Sequence, residues 1–254
     1  MKSIVTPLAL LAAVAVAVQA ASQPAVEWEG AQAVLFSDDD GPYTLGFRFR
    51  ADFDLRITSL GAFDHLGDGL ATTHIVAIWP VDGNAPLESV MIAAGTRAPL
   101  LGAFRYAAVS NLILSANTDY IVGASDFYGS GADIYPWMPT VFSTSPGIHF
   151  LGARKSSYEL AGLHFPGDEY NPGAPLAVNF QFVPVPRLVI RRTDAAELAL
   201  SWRTNAPSFH LESAEGLPAA TWNAVTGVPT VLGDSFVLPL PSTGGQQYFR
   251  LTSE

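Results

Sequence analysis

The sequence has 254 residues, no cysteine and a formal net charge of −10, which excludes disulfides, thiol catalysis and cysteine-ligated metals. The acid excess also argues against nucleic acid and anionic lipid as partners. Only 14% of residues are charged, and there are 22 Gly and 19 Pro, which predicts an all-β protein of turn-joined strands with room for one or two cores.

The first 20 residues read as a secretory signal peptide cleaved after Ala20. Lys2 supplies the positive start, Ile4 to Val18 the apolar run, and Val18-Gln19-Ala20 the small-residue cleavage site. The expected location is therefore secreted: extracellular, at the cell surface or in the periplasm. No later stretch is apolar enough to span a bilayer. Cleavage removes one base and no acid. From Ser22 to Pro186 there are 17 acids against 7 bases, and from Arg187 onward 6 against 5. The negative charge belongs to the first part, a surface suited to cations or to neutral ligands such as sugars.

Val26 to Glu29 and Ala33 to Phe36 read as short strands split by Gly30, followed by the turn cluster Ser37 to Pro42. Leu45, Phe47 and Phe49 alternate with Gly46, Arg48 and Arg50, the pattern of a half-buried strand. Strict alternation then sets Leu55, Ile57, Ser59 and Gly61 opposite Arg56, Thr58, Leu60 and Ala62. After a loop over Asp64 to Gly69, Ile75 to Trp79 is apolar on both faces and reads as a central strand, ended by Pro80. Asp82-Gly83-Asn84 is a hairpin turn into Glu88 to Ala93. Phe104 and Tyr106 flank Arg105 in a strand, and Tyr120 to Ala124 forms another. Asp126 to Pro139 and Tyr158 to Pro175 break the pattern as Gly- and Pro-rich loops. Val141–Phe142 and Ile148–Leu151 lie between them as short strands, and Val178, Phe180 and Phe182 form a closing strand.

Val183-Pro184-Val185-Pro186 is a stiff linker. Beyond it, segments around Leu200, Leu211, Trp222, Ser235 to Leu240 and Gln247 to Leu251 suggest about five strands, a marginal independent unit. The predicted architecture is a jelly-roll-like antiparallel β-sandwich over 21–183, a Pro-containing linker over 184–192, and a small β-sandwich-like module over 193–254.

Two resemblances follow. Gly46-Phe47-Arg48-Phe49, Leu60-Gly61-Ala62-Phe63-Asp64, Gly67-Asp68-Gly69-Leu70-Ala71, His74-Ile75-Val76-Ala77-Ile78-Trp79, Gly102-Ala103-Phe104-Arg105-Tyr106, Tyr120-Ile121-Val122-Gly123-Ala124 and Asn179-Phe180 occur in this order. The stretch resembles a β-sandwich domain of secreted bacterial proteins, often those with an exosortase-type (PEP-CTERM-type) sorting signal. It is similar to the domain-of-unknown-function family DUF4082. The resemblance implies an extracellular sandwich with no catalytic residues to transfer; this sequence departs in lacking the usual C-terminal sorting tail. Leu200-Ser201-Trp202, Leu211-Glu212-Ser213, Thr221-Trp222 and Gln247-Tyr248-Phe249-Arg250-Leu251 look like a small β-module that ends many secreted bacterial proteins.

Asp64 and Asp68, with His65 or His74 nearby, could hold a calcium ion on a Gly-bent loop. The alternative is turn chemistry, with Asp accepting backbone N–H bonds. Asp38-Asp39-Asp40 either joins such a site or forms a solvated turn. Tyr128, Tyr135, Trp137, Tyr158 and Tyr170 sit in the aromatic loops, where rings stack on sugars and Asp126, Asp133, Asp168 and Glu169 accept hydroxyl bonds; alternatively the rings plug the end of the sandwich. There is no Gly-x-Ser-x-Gly elbow, His-Glu-x-x-His or phosphate loop. The expectation is a secreted, non-catalytic binding or structural module of the cell surface or extracellular matrix, with extracellular polysaccharide or a surface protein as partner. A purely structural or adhesive protein and a glycan-acting hydrolase are the alternatives.

Overall fold

A computed structural model describes residues 22–28, 33–35, 41–83, 85–128, 133–139, 142–156, 161–170, 177–194, 197–204, 209–219, 221–241 and 246–253. The side chains of 33–35 and 136–139, and those at 111, 194 and 253, lie outside that description. The chain divides into two compact units at 187/188, and every strand pairing stays within one unit. All named strand pairs are antiparallel. The described helical structure is a single 3-10 turn at His65–Gly67. No helix among the described residues is long and apolar enough to cross a membrane.

The first unit opens with β1 (Gln23–Pro24), β2 (Val26–Trp28), β3 (Ala33–Leu35), β4 (Tyr43–Ala51), β5 (Asp54–Phe63), β6 (His74–Pro80) and β7 (Glu88–Ile92). It continues with β8 (Leu100–Leu101), β9 (Phe104–Leu114), β10 (Asp119–Phe127), β11 (Pro136–Pro139), β12 (Phe142–Thr144), β13 (Ile148–Lys155), β14 (Asp168–Tyr170) and β15 (Val178–Val185). Two sheets dominate, in the orders β1-β15-β5-β9-β8 and β14-β13-β4-β10-β6-β7, alongside the two-stranded ribbons β3-β11 and β2-β12. The expected all-β sandwich-like fold is present.

The core lies between the two large sheets. Phe47 and Phe49 of β4 meet Phe180 of β15, with ring centroids 6.3 and 4.6 Å apart, and all three are fully buried. The alternation expected for β4 holds, because Arg48 and Arg50 turn outward to share Asp119 of β10. Arg50 first, then Arg48, holds that carboxyl below its ordinary range. In β6, Val76 and Ile78 face the core while Trp79 meets Phe165 on the outer side at 6.0 Å. That explains a strand apolar on both faces, although β6 is second from the sheet edge rather than central.

Strict alternation fails in β5. The pairing slips between Ile57 and Ser59 on both sides of the strand, so Leu60 and Ala62 follow Leu55 and Ile57 into the core. Leu60 pairs with the core residue Phe180, whereas Gly61 pairs with Asn179 and Tyr106 on the outer face. A bulge adds one residue and reverses the facing of everything after it. This reversal builds the outer surface described below.

The linker is shorter than expected. β15 continues through Val185, with Pro184 paired to Leu55. Among the described residues β1 covers β15 only opposite Phe182 and Gln181, and a proline near the end of β15 is tolerated where its N–H is not needed by the ladder. The second unit starts at β16 (Val189–Asp194) and adds β17 (Glu197–Arg203), β18 (Phe209–Ala214), β19 (Asn223–Ala224), β20 (Thr230–Leu232), β21 (Ser235–Pro241) and β22 (Tyr248–Ser253). Its sheets run β16-β17-β21-β20 and β19-β18-β22, around Leu200, Trp202, Leu211 and Leu238. Arg250 lies over the Trp222 ring at 4.4 Å.

Candidate functional site

Asp64 is buried, and its carboxylate is already engaged. Arg105 donates Nε–H to Oδ2 at 2.5 Å, and the Gly69 N–H lies 3.2 and 3.1 Å from the two oxygens. Arg105 also donates from Nη1 to the carbonyls of Thr96 and Ala98 and from Nη2 to that of Gly67. One guanidinium thus clamps two loops from beneath. The turn reading fits Asp64, and the cation reading does not, because its charge is neutralised in place. Asp68 is exposed. No group of three or more metal-binding side chains occurs among the described residues. Arg105 was not singled out in the sequence, although a lone cation between two aromatics in a strand was the available signal.

His74 and Asp133 form a second buried joint. The His74 ring stacks on Phe127 at 4.3 Å. Its Nδ1 lies 2.6 Å from the Ser125 carbonyl, so that nitrogen carries the donated proton. Its Nε2 lies 3.2 Å from Asp133 Oδ2, close but without the alignment of a hydrogen bond. Asp133 also accepts from the N–H groups of Ala71 and Thr72 and from the Thr72 hydroxyl, at 2.9, 2.7 and 2.8 Å. The Ser125 hydroxyl is committed to Asp126 and to the Ile75 N–H, so this Ser, His and Asp do not form a nucleophile–base pair.

Burial acts to raise the Asp133 carboxyl, but His74, Ala71 and Thr72 outweigh it and hold it down at about 2. Its ordinary value is about 3.9. The ionised form therefore stabilises the fold fully above about pH 4, and that contribution is lost as the pH falls through about 2. Asp133→Asn is expected to lower the urea unfolding midpoint at pH 7, with the gap to the unsubstituted protein narrowing from pH 4 to pH 2. A gap that stays constant over that range would show that the fold does not depend on this charge.

The expected aromatic ligand face is dispersed. Tyr135 is 1% exposed and belongs to the core; Asp133 is buried in the joint just described. The plug reading fits Tyr135, and neither residue is available as a surface platform. Asp126 accepts from Ser125 and from the Gly162 N–H at 2.7 Å, tying down the following loop. Tyr128 is half-buried and bridges to Ile134. Asp168 is exposed at the sheet edge, and the half-buried Tyr170 lies against Lys155 Nζ, 5.1 Å from its ring centre. Trp137 lies in β11, between the residues that pair with β3, but its side chain lies outside the described residues, as do Tyr158 and Asp38 to Asp40.

A cleft of about 290 Å³ opens elsewhere, on the outer face of the five-stranded sheet, lined by Trp28, Phe104, Tyr106, Asn179, Leu101 and Glu27 among others. Its floor follows from the β5 bulge. Gly61 faces outward between Asn179 and Tyr106, and a Cβ there would lie 2.6 Å from the Tyr106 ring. The ring therefore lies flat on the glycine. Asn179 reaches up from the sheet to Val26, accepting from its N–H at 3.2 Å and donating to its carbonyl at 2.7 Å. This docks β2 as one wall. Trp28 then packs on Phe63 and Phe104, each at 5.1 Å. The Gly102–Ala103 turn between β8 and β9 makes the opposite wall.

Two lining residues keep an unmatched polar atom. Trp28 Nε1 and Tyr106 Oη are both buried without a hydrogen-bond partner. Burial pushes the Tyr106 phenol up, so it stays protonated as a donor. Such orphans are uncommon because each forfeits the hydrogen bond it made with water. Both atoms belong to residues that line the cleft but are themselves closed to solvent; among the described residues no hydrogen-bond partner reaches either. Glu27 is exposed at the rim. None of these residues was read as a ligand contact from the sequence. Phe104 and Tyr106 share a face by their spacing, but their partner Trp28 is 76 positions away. The chain matches no protein-family model, no curated protein and no solved structure, so the site is read from its own geometry.

Proposed function

We propose that the protein is a secreted, non-catalytic binding module that seats a neutral sugar ring of an extracellular polysaccharide in the cleft of Trp28, Phe104 and Tyr106. The observation that carries this reading is the open cleft of about 290 Å³ whose lining brings the rings of Trp28, Phe104 and Tyr106 together. Aromatic faces stack on the C–H face of a sugar, and Glu27 at the rim can accept from its hydroxyls. The volume lies near the lower end of small-molecule sites, about 300–1,000 Å³, which suits one ring rather than a chain. The acid excess of the first unit favours a neutral ligand over an anionic one. The signal-like first 20 residues favour a ligand outside the cytoplasm.

Affinity electrophoresis against a panel of neutral polysaccharides tests this. At least one should retard the protein, and Trp28→Ala should weaken that retardation about tenfold or more, the scale of a central aromatic anchor. Retention that is unchanged in a folded Trp28→Ala variant, or no retention by any neutral glycan, would overturn it.

A further inference from the structure

We infer that the ligand is amphipathic: a sugar ring carrying an aliphatic substituent that leaves the cleft over Leu101 and crosses the sheet edge to Leu100 and Leu66. This rests on the cleft reading above. Leu101 lines the cleft and is 49% exposed; Leu100, the other residue of the edge strand β8, is 43% exposed. The two side chains point to opposite faces of that strand, so together they carry an apolar surface over the edge. On the far side, Leu100 Cδ2 lies 2.9 Å from where a Cβ on Gly67 would stand. Next to it, Leu66 is 79% exposed.

This ridge is built rather than left over. Leu66 has φ +66°, a left-handed conformation unfavourable for a residue with a side chain. It is held there because Gly67 donates to the Asp64 carbonyl and accepts from Arg105, whose other bonds fix the chain leading to Leu100. A buried ion pair thus supports two loops that keep leucines in water, against the tendency of apolar groups to withdraw.

The narrowness of the ridge identifies its occupant. Three partly exposed leucines offer only a fraction of the about 800 Å² that each partner buries in a stable protein interface. The unit's acid excess disfavours an anionic bilayer. What fits a one-strand-wide apolar path beginning at a sugar-sized cleft is a substituent on that sugar.

Calorimetric titration of the full chain with matched methyl and octyl glycosides of glucose, galactose, mannose and N-acetylglucosamine, the octyl forms below their micelle concentrations, tests this. For the sugar that binds, the octyl glycoside should bind at least tenfold more tightly than the methyl form. In Leu66→Ser/Leu100→Ser that preference should fall below threefold, with affinity for the methyl glycoside unchanged. Equal affinities in the unsubstituted protein would overturn the inference while leaving the cleft reading standing. An octyl preference that survives both Trp28→Ala and the leucine substitutions would also overturn it, as adsorption of the tail alone. A dimer in sedimentation that the leucine substitutions dissociate, without any octyl preference, would assign the ridge to a second copy instead. If no glycoside and no neutral polysaccharide binds, the cleft reading fails and this inference fails with it.

Discussion

Arg105→Leu is expected to lower the unfolding temperature of the first unit by about 10 °C. The side chain is 4% exposed and pairs with an equally buried Asp64. Removing one member of such a pair leaves an uncompensated charge in the interior, which costs about 3–5 kcal/mol. For a unit of this size each kcal/mol moves the midpoint by about 2–4 °C. The substitution also strands the carbonyls of Gly67, Thr96 and Ala98. Proteolysis should therefore become faster within 64–69 and 95–99 before the rest of the sheet opens. Asp64→Asn/Arg105→Gln, compared with each single change in a double-mutant cycle, should be less destabilising than the sum of the two. A fall of less than about 2 °C for Arg105→Leu, with additive singles, would mean that the clamp contributes nothing beyond ordinary packing.

Asn179→Ala is expected to destabilise the first unit by about 2–4 kcal/mol and to abolish ligand retention. The buried amide accepts from Val26 N–H and Phe180 N–H and donates to the Val26 carbonyl. Each buried backbone group left without a partner costs about 1–3 kcal/mol. Loss of the amide removes the only side-chain bonds that dock β2 on the sheet among the described residues, so Trp28 loses its position over Phe63 and Phe104. Asn179→Asp keeps the volume and replaces the donor with a carboxylate oxygen that faces the Val26 carbonyl; it should be no better. Chemical denaturation gives the stability, and affinity electrophoresis gives the retention. If Asn179→Ala keeps full retention, β2 is held by its pairing with β12 and the cleft wall does not depend on this residue.

The stretch from Leu60 to Trp79 shows where sequence reading succeeds and where it stops. Its two strands and intervening loop were legible from apolar runs and from Asp and Gly in the turn. The partner of Asp64 was not, because Arg105 is 41 positions away. The same limit applies to Asp133: its position in a polar, Gly-rich loop suggested a surface acid. In the fold, the N–H groups of Ala71 and Thr72 and the His74 ring, about 60 positions earlier, converge on it. Tyr135, two residues on, was as compatible with a sugar platform as with a plug; the space under the sandwich end decided that it is core.

The all-β class, the position of most strands, the inward row of Leu45, Phe47 and Phe49, and the division into a large and a small unit follow from the sequence by itself. Each rests on local periodicity or on turn residues, which act over a few neighbours. The cleft was decided by tertiary structure. A slip of register at Thr58 turns Gly61 outward, and no pattern within β5 announces it, because Leu60, Gly61, Ala62 and Phe63 are all uncharged and all buried. Only when Tyr106 settles on that glycine, Asn179 docks Val26 and Trp28 closes over Phe104 does a site exist. Those contacts join four distant segments, and long-range pairing is the information that local sequence does not carry.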